Sequence, residues 1–387
     1  MPTTQDISPQ PPAKFTGIQL GKTKTSAAGV PAVANSLRHV YGNAGLLRGT
    51  EAMLKLNQWE GFDCPSCAWP DPDDHRSAFE FCENGAKAIA SETTKKRVTP
   101  EFFAHHSVAE LADWSDYEMD QAGRITHPMV LREGATHYEP IAWDEAFALI
   151  GRELKALASP DEAVFYTSGR ATNEAAFLYQ LFARHYGTNN LPDCSNMCHE
   201  SSGAALNASI GVGKGTVTLK DLETAETILI IGQNPGTNHP RMLSSLQRAV
   251  EAGATIIAVN PMKEAGLTGF MHPQQVKGVI GKATPLAKQF LQVRLNGDQA
   301  LLKGMAKTLV EDGSVDEAFI AEHTSGFEAW REHLKGLDWA ELERLSGIPK
   351  AEMQKAARQC ASGNRKVITC WAMGLTQHKN AVATIQE

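Results

Sequence analysis

Apolar residues recur at helical spacing in three places after about residue 140. This spacing predicts one helix over 144–158 and a second over 173–186, which Gly187 can end. The second helix would carry an apolar face made of Phe177, Leu178, Leu181 and Phe182. A third helix would have Pro240 at its first position and an apolar stripe of Met242, Leu243, Leu246 and Val250.

Short continuous apolar runs lie between these helical stretches and predict buried strands. They are found at 163–166, 227–231, 255–259 and 367–370. Strands that alternate with helices are typical of an α/β fold, because parallel neighbours need a crossover connection. We therefore expect a parallel α/β region over residues 136–387.

The first third of the chain lacks such periodicity. Residues 1–30 begin with several prolines and few apolar side chains, which favours a disordered lead. Residues 31–135 are interpreted as a loop-rich domain. Within it, Pro65, Pro70 and Pro72 make a continuous helix or an inner strand implausible.

Composition limits the classes of function. The 387 residues carry a formal net charge of −7 with no long run of lysine or arginine, which argues against nucleic acid as a partner. No stretch of about 18 apolar residues predicts a membrane span, and no apolar leader is visible, so we expect a cytoplasmic location. The seven cysteines are odd in number, which favours metal binding or catalysis over a disulfide framework.

Cys64 and Cys67 lie close together on the proline-rich loop. Three interpretations remain open: two buried cysteines, a zinc site completed by His75 and Cys82, or a [4Fe–4S] cluster held by thiolates from loops. The loop alone does not separate zinc from the cluster.

A second cysteine pair, Cys194 and Cys198, lies in a turn that follows the 173–186 helix. Cys198 precedes His199, and a neighbouring imidazolium favours the thiolate form of a cysteine. Cys198 is therefore a candidate reactive thiolate or metal ligand. The alternative is a partly buried loop cysteine beside a surface histidine.

Glycine-rich loops follow the predicted strands at the edge where ligands of open α/β sheets bind. Gly232–Pro240 carries small and amide residues that let backbone N–H groups approach a phosphate. Gly211–Gly215 is a second flexible loop, which matches neither the P-loop nor the simple dinucleotide fingerprint. Asn260 and Pro261 follow the 255–259 strand, at a position where a protein can recognise the ribose of a nucleotide.

Together these segments resemble the molybdopterin oxidoreductase family, in its formate-dehydrogenase-like branch of the YdeP type. They match the amino-terminal half of the alpha subunit. The resemblance is carried by GFDCPSCAWPDP (61–72), CENGAKA (82–88), WDE (143–145), YTSGR (166–170), TNE (172–174), CSNMCH (194–199), GQNPGTNHP (232–240), NP (260–261), LNGD (295–298) and GLTQH (374–378). So many ordered motifs are far more specific than any one of them, and they favour the cluster over zinc.

The resemblance implies a molybdenum ion held by two molybdopterin guanine dinucleotides, with a [4Fe–4S] cluster nearby. Cys198 would ligate the molybdenum, and His199 would handle the substrate proton. Cys64, Cys67 and Cys82 would ligate the cluster. Cofactor contacts are implied for Lys87, Arg170, Asn173, Gly232, Asn234, Pro235, His239, Asn260, Asp298 and Gln377. The implied fold is a set of Rossmann-like dinucleotide-binding units behind an iron–sulfur segment, without the family's carboxy-terminal β-barrel.

The chain departs from the family pattern at the cluster motif. Asp71 stands at the third cysteine position, and Cys82 matches the fourth after a shorter gap. Either Asp71 or His75 supplies a ligand, or the cluster is incomplete; an oxygen ligand would shift its potential. The offset of Lys87 from the family's lysine between cluster and pterin also differs.

A second departure concerns the substrate. Family members that oxidise formate grip its carboxylate with an arginine, and Gln386 stands at that position here. A neutral amide cannot make the charged bidentate contact, which argues against formate. The chain is also about half as long as family members. We therefore expect one pterin to lose part of its pocket and the 387 residues alone not to retain stoichiometric molybdenum.

The sequence thus predicts a two-electron oxidoreductase that acts on a small molecule at molybdenum. Electrons would leave through the [4Fe–4S] cluster toward a redox partner protein. Two alternatives remain open, namely a truncated, non-catalytic remnant of such an enzyme and a zinc-stabilised α/β binding protein.

Overall fold

A four-stranded parallel sheet forms the centre of the protein. The computed structural model describes residues 21–67, 69–74, 76–192, 198–362 and 366–387. The strands are β1 (Thr227–Ile231), β2 (Thr255–Val259), β3 (Ala287–Leu291) and β4 (Val367–Trp371). They lie in the order β4-β1-β2-β3, and all neighbours are parallel. The predicted parallel α/β sheet is confirmed, and three predicted strands coincide with β1, β2 and β4.

Helices cover both faces of this sheet. Successive side chains of a strand point to opposite faces, so a strand covered on both sides is apolar throughout. Leu229 of β1 packs with helix Asp298–Glu311 on one face, and Ile228 packs with helix Met242–Glu251 on the other. Full burial of each such side chain stabilises the fold by about 1.5–3 kcal/mol.

The α/β region contains further helices around the sheet. They are Glu200–Ile210, Leu219–Thr224, Pro235–Asn238, Ala265–Thr268, Val276–Val279, Glu317–His323, Phe327–Lys335, Trp339–Ser346, Lys350–Ala361, Met373–Thr376 and Ala381–Gln386. None of the described helices is long and apolar enough to span a membrane. The prediction that Pro240 begins a helix is wrong, since that helix begins at Met242 after a turn, and Pro235 is the proline at a first helical position.

Three helices pack together ahead of the sheet: Gly29–Ala44, Leu46–Lys55 and Glu83–Glu92. They share a small core of Val40, Met53, Ala86 and Ala90. The prediction of a loop-rich segment is wrong for these helices, because alanine and glycine on their contact faces hide the apolar period. The loop between the second and third helices, which carries the cysteines, contains no helix in its described part.

The segment predicted as a disordered lead lies mostly outside the described part of the chain. Its described end is structured. Ala27–Ala28 forms a parallel strand pair with Phe270–Met271, and helix Gly29–Ala44 begins at the next residue. This pairing joins residues far apart in the chain, so no local pattern reveals it.

Short elements fill residues 97–140. The helices are Pro100–His105, Val108–Ala112 and Asp116–Ala122. The strand pairs are Arg97–Val98 with Arg124–Ile125, which is parallel, and Met129–Val130 with Glu139–Pro140, which is antiparallel. A 3-10 turn follows later at Pro160–Glu162.

Helices Trp143–Ala156 and Asn173–Tyr186 agree with their predictions, and the second ends at Gly187, whose φ of 111° is left-handed. The prediction of a strand at 163–166 is wrong. This segment is extended but pairs with none of the described strands; the Phe165 N–H donates instead to the Asn190 carbonyl at 2.9 Å. Buried apolar residues at 163 and 165 imitate a strand because they pack under the second helix.

Candidate functional site

A cavity of about 920 Å³ lies beside the carboxyl end of β4. Ligands of parallel α/β sheets bind at this edge. Its wall includes Trp69, His199, Lys214, Gln233 and Trp371, which come from separate parts of the chain. The volume is at the upper end of ordinary ligand pockets, which are about 300–1,000 Å³.

Cys198 and His199 lie directly before helix Glu200–Ile210. His199 is exposed and lines the cavity, with its Nδ1 3.3 Å from Ser202 Oγ. Cys198 is half-buried, and its carbonyl accepts a hydrogen bond from Gln377 Nε2 at 3.2 Å. The structure therefore brings three predicted site residues together, although Cys198 itself is not among the residues that line the cavity. Cys194, the other cysteine of the motif, lies outside the described residues.

Two serines near the start of this helix form hydrogen bonds to the end of β4 and to the short helix that follows it. Ser202 Oγ accepts a hydrogen bond from Trp371 Nε1 at 2.9 Å, and Ser201 Oγ donates to the Thr376 carbonyl at 3.1 Å. Sequence analysis missed these residues because serine at the start of a helix is common. Their position directly after the Cys-His pair was the available signal.

The loop after β1 crosses the loop after β4 in backbone contact. Gly232 has a left-handed backbone with φ of 59°, and a Cβ placed on it would lie 2.8 Å from the carbonyl carbon of Gly374. The N–H of Gly374 donates to the Gly232 carbonyl at 3.2 Å. Only glycine fits both positions, so the crossing requires these two residues.

Two buried polar atoms of the same loop have no hydrogen-bond partner in the described structure. They are Gln233 Oε1 and His239 Nδ1. Burial lowers the pKa of His239, and its electrostatic interaction with His199 lowers it further, so the neutral ring is favoured. Buried polar groups are normally hydrogen-bonded, and such exceptions are expected where a polar ligand binds.

Glu264 joins the loops that follow β1 and β2. One carboxylate oxygen accepts a hydrogen bond from Asn234 Nδ2 at 2.8 Å, and the other accepts one from Asn260 Nδ2 at 3.0 Å. Both asparagines were predicted to contact a cofactor, and the structure places them on one carboxylate. Sequence analysis missed Glu264, because a glutamate five residues after a strand has no distinctive pattern.

We expect replacement of Glu264 by glutamine to loosen both loops. The new amide nitrogen would face an amide donor, which removes one hydrogen bond and weakens the other. The free energy of unfolding should fall by about 1–3 kcal/mol, as measured by chemical denaturation. Glu60→Gln, at an exposed position, serves as the matched control. Equal unfolding midpoints for the two variants would contradict this role of Glu264.

Three other predicted cofactor residues lie on different parts of the fold. Asp298 begins helix Asp298–Glu311, where burial raises its pKa while a hydrogen bond from its own backbone and the charge of His378 oppose the rise. Arg170 and Asn173 are exposed, and neither lines the cavity. The cavity that His199 lines is thus formed without Arg170 and Asn173.

Lys87 lies on a helix that approaches the loop after β1. Its Nζ pairs with a carboxylate oxygen of Glu83 at 2.7 Å. On the same helix, Asn84 Nδ2 donates to the Thr237 carbonyl at 2.8 Å. This hydrogen bond connects the cysteine-bearing segment to the loop of Gly232.

Cys64, Cys67 and Cys82 are close enough to interact electrostatically. Burial raises the pKa of both Cys64 and Cys82, and the charge of Cys67 raises both further. Cys82 also caps helix Glu83–Glu92, since its Sγ accepts a hydrogen bond from the Gly85 N–H at 3.5 Å. That these three cysteines ligate one cluster stays a prediction.

Asn57 organises the cysteine loop and was missed by sequence analysis. It is buried, with a left-handed φ of 57° that asparagine tolerates better than most residues. Its Oδ1 accepts a hydrogen bond from the Cys64 N–H at 2.8 Å, and its Nδ2 donates to the Glu80 carbonyl at 2.7 Å. One side chain thus holds both ends of the loop.

A complete metal site is not formed by the residues that the structure describes. No group of three or more His, Cys, Asp or Glu side chains among them is arranged to hold a metal ion. Asp71, at the third cysteine position, is paired with Arg241 at 2.7 Å and with Arg76 at 3.1 Å. His75, the other candidate ligand, lies outside the described residues.

The buried pair of Glu80 and Arg241, whose charged atoms are 2.7 Å apart, predicts acid-sensitive stability. Burial alone would raise the pKa of Glu80, but hydrogen bonds from Ser77 and Arg241 outweigh it and bring the pKa below its usual 4.5. Because the folded-state pKa is depressed, the stabilisation is present above pH 4.5 and is lost as the pH falls through the folded-state value.

We therefore expect Glu80→Gln to lower the free energy of unfolding by about 3 kcal/mol at neutral pH, because Arg241 loses a buried partner. The difference from wild type should shrink as the pH falls below 4.5 and through the lowered folded-state pKa of Glu80. Thermal unfolding measured across this pH range tests the expectation. A difference that stays constant with pH would rule out ionised Glu80 as the source.

The model of the molybdopterin oxidoreductase family matches residues 124–387, which is more than half of the chain. The chain belongs to this family. Its parallel sheet and the loops at the carboxyl edge lie within the matched residues. The resemblance inferred from the ordered motifs is therefore confirmed.

Several curated proteins are similar to this chain in sequence. An uncharacterized oxidoreductase of Mycobacterium tuberculosis is 54% identical over 376 residues, which cover 96% of this chain and 48% of the relative. Protein YdeP of Escherichia coli K12 is 46% identical over 369 residues, with 92% and 48% covered. Formate dehydrogenase H of the same organism is 30% identical over 269 residues, with 68% and 35% covered. The chain spans about half the length of the first two relatives.

A solved structure supports the fold. Acetylene hydratase from Pelobacter acetylenicus superimposes with a TM-score of 0.54 and 20% identity, covering 67% of this chain and 34% of that one. At this identity the likeness extends to the fold alone.

Proposed function

We propose that this chain is part of a molybdenum-dependent two-electron oxidoreductase, similar to formate dehydrogenase, that uses a bis(molybdopterin guanine dinucleotide) cofactor. The observation that carries the proposal is the cavity at the carboxyl edge of the sheet. His199 and Gln233, from separate loops, line one space there, and Gln377 holds the backbone of Cys198 beside it. Membership of the family supports a molybdenum–pterin cofactor.

The residues at this edge fit a pterin nucleotide. Gln233 and His239 each present a buried polar atom without a partner among the described residues, as expected of groups that contact a polar ring. Glu264 holds Asn234 and Asn260 at the ends of two adjacent strands. A dinucleotide bound to a doubly wound sheet lies across such strand ends.

Each side chain beside the cavity has a distinct chemical role in this proposal. When bound, the molybdenum–pterin group supplies two-electron redox chemistry. Cys198 would be its thiolate ligand, and Gln377 would fix the backbone that carries the sulfur. His199 would take up or release the substrate proton, since an imidazole exchanges protons near neutral pH. Ser202, 3.3 Å from His199 Nδ1, orients that ring.

An iron–sulfur cluster at Cys64, Cys67 and Cys82 belongs to the same proposal, as the expected exit for electrons toward a redox partner protein. The [4Fe–4S] form is ordinarily held by four thiolates. The described residues contribute three thiols, and Asp71 is paired with arginines. The fit to a four-ligand cluster is therefore incomplete.

The proposed substrate is a small molecule other than formate. Gln386, at the position of the formate-gripping arginine, is exposed at the end of helix Ala381–Gln386. Its neutral amide cannot form a charged bidentate contact with a carboxylate.

Metal analysis and the optical spectrum of anaerobically purified protein test the proposed function. We expect molybdenum and pterin to co-purify, at less than one equivalent per chain, with the protein from cells supplied with molybdate. Broad absorbance near about 400 nm is expected from the iron–sulfur cluster. A colourless protein that contains zinc instead would favour a zinc-stabilised α/β binding protein, and protein without detectable molybdenum or pterin would refute the proposal.

A further inference from the structure

A buried arginine joins the cysteine loop to the loop that follows β1. Arg241 comes directly after Gly232–Pro240, and 8% of its side chain is exposed. Its guanidinium lies 2.7 Å from Asp71 and 2.7 Å from Glu80, and it donates to the Trp69 carbonyl at 3.1 Å. All three partners belong to the cysteine loop, so one side chain spans the two segments.

Asp71 is the residue that stands at the third cysteine position of the cluster motif. Its side chain is 15% exposed, and Oδ2 accepts a hydrogen bond from Arg76 Nη1 at 3.1 Å. Oδ1 lies 2.7 Å from Arg241 Nη2 as a charge contact that does not have hydrogen-bond geometry. Both carboxylate oxygens therefore have a cationic partner. To ligate a metal, Asp71 would have to give up one of these contacts and leave a buried guanidinium with less neutralising charge, which is strongly unfavourable.

The buried cation of Arg241 needs carboxylates to offset its burial, and Asp71 and Glu80 provide them.

We infer that Asp71 is the counter-ion of Arg241 and not a metal ligand, and that this ion pair docks the cysteine loop onto the segment after β1. A metal at this site is then held by Cys64, Cys67 and Cys82 and by ligands other than Asp71. The ligand set rests on the proposed function, whereas the ion pair does not.

The docking also shapes the cavity. Trp69, whose carbonyl Arg241 binds, lines the cavity, and its ring lies 6.2 Å from the ring of His239. Arg241 and Asp71 are thus positioning residues, because their ion pair holds both the cysteine loop and one wall of the cavity in place.

Measurements of metal binding distinguish whether Asp71 is a counter-ion or a metal ligand. Asp71→Asn is compared with Asp73→Asn, a neighbouring exposed aspartate, and with Cys82→Ala as the reference for a lost ligand. Iron content per chain and the EPR spectrum of the reduced protein are measured after anaerobic purification. We expect wild-type iron content and line shape in both aspartate variants, and loss of iron in Cys82→Ala. Loss of iron or a changed line shape in Asp71→Asn would overturn the inference.

Asp71→Glu keeps the negative charge but moves it outward by one methylene. A counter-ion tolerates this change, so we expect higher stability than in Asp71→Asn and an unchanged EPR spectrum. A ligand moved by this distance would alter the spectrum, and that result would also overturn the inference.

The ion pair is tested separately by a double-mutant cycle. Asp71→Asn and Arg241→Gln are each expected to lower the midpoint of thermal unfolding by roughly 3–10 °C, and the double variant by less than the sum of the two shifts. Additive shifts would refute the pair. Non-additive shifts in a protein that contains no iron would support the pair and at the same time refute the proposed cluster.

Discussion

Replacement of Cys198 by alanine is expected to reduce molybdenum-dependent turnover by more than about a hundredfold, because loss of a metal ligand should exceed the 10- to 100-fold effect typical of residues that only support ligands. The structure places Cys198 beside the cavity and fixes its carbonyl by a hydrogen bond from Gln377. The substitution removes the sulfur and leaves that backbone contact intact. Turnover per folded chain and molybdenum content are the measurements.

Cys360→Ala is the matched control for this experiment. Cys360 lies on helix Lys350–Ala361, and burial raises its pKa to about 11, so its thiol stays neutral and unreactive. We expect Cys360→Ala to retain turnover and molybdenum. If Cys198→Ala retained both as well, Cys198 would have no role at the metal.

Replacement of Gly374 by alanine is expected to destabilise the fold by about 1–3 kcal/mol and to lower retention of the pterin. A Cβ at this position would overlap the backbone of Gly232, including its carbonyl oxygen. The two loops would have to separate, and this would move Gln233 at the wall of the cavity. Chemical denaturation and the pterin content of the purified protein measure the two effects.

Gly151→Ala is the control for glycine replacement in general. Gly151 lies within helix Trp143–Ala156, and a Cβ there would meet no atom within 4 Å. Alanine favours the helix over glycine by up to about 1 kcal/mol, so this variant should be slightly more stable than wild type. Comparable stability of Gly374→Ala and wild type would show that the crossing loops can separate without cost.

Much of the fold could be predicted from local sequence pattern. After their first threonine, strands β1 and β2 are apolar throughout because helices cover both sides of the sheet, and this pattern can be recognised without knowing what the strands pair with. Helix Asn173–Tyr186 was equally visible, since Gly187 ends it with a left-handed backbone. The segment at 163–166 misled the same reasoning, because two buried side chains beneath a helix have the spacing of a strand.

The candidate site was predicted in part. Cys198, His199 and Gln377 were named from motifs, and the structure brings them together. Asn57 and Glu264 were not found, since each acts through hydrogen bonds to residues that no periodic pattern connects to it. Supporting residues of this kind are decided by the path of the chain in space.

The amino-acid sequence by itself determined the parallel sheet and the family, because burial period and ordered motifs are properties of consecutive residues. Only the tertiary structure decided what each carboxylate does. Asp71 could serve a metal or an arginine equally well as far as its neighbours in the chain are concerned. In the folded chain Arg241, from a distant loop, is buried next to Asp71. Asp71 therefore pairs with the arginine, because a buried cation needs a nearby anion to neutralise it.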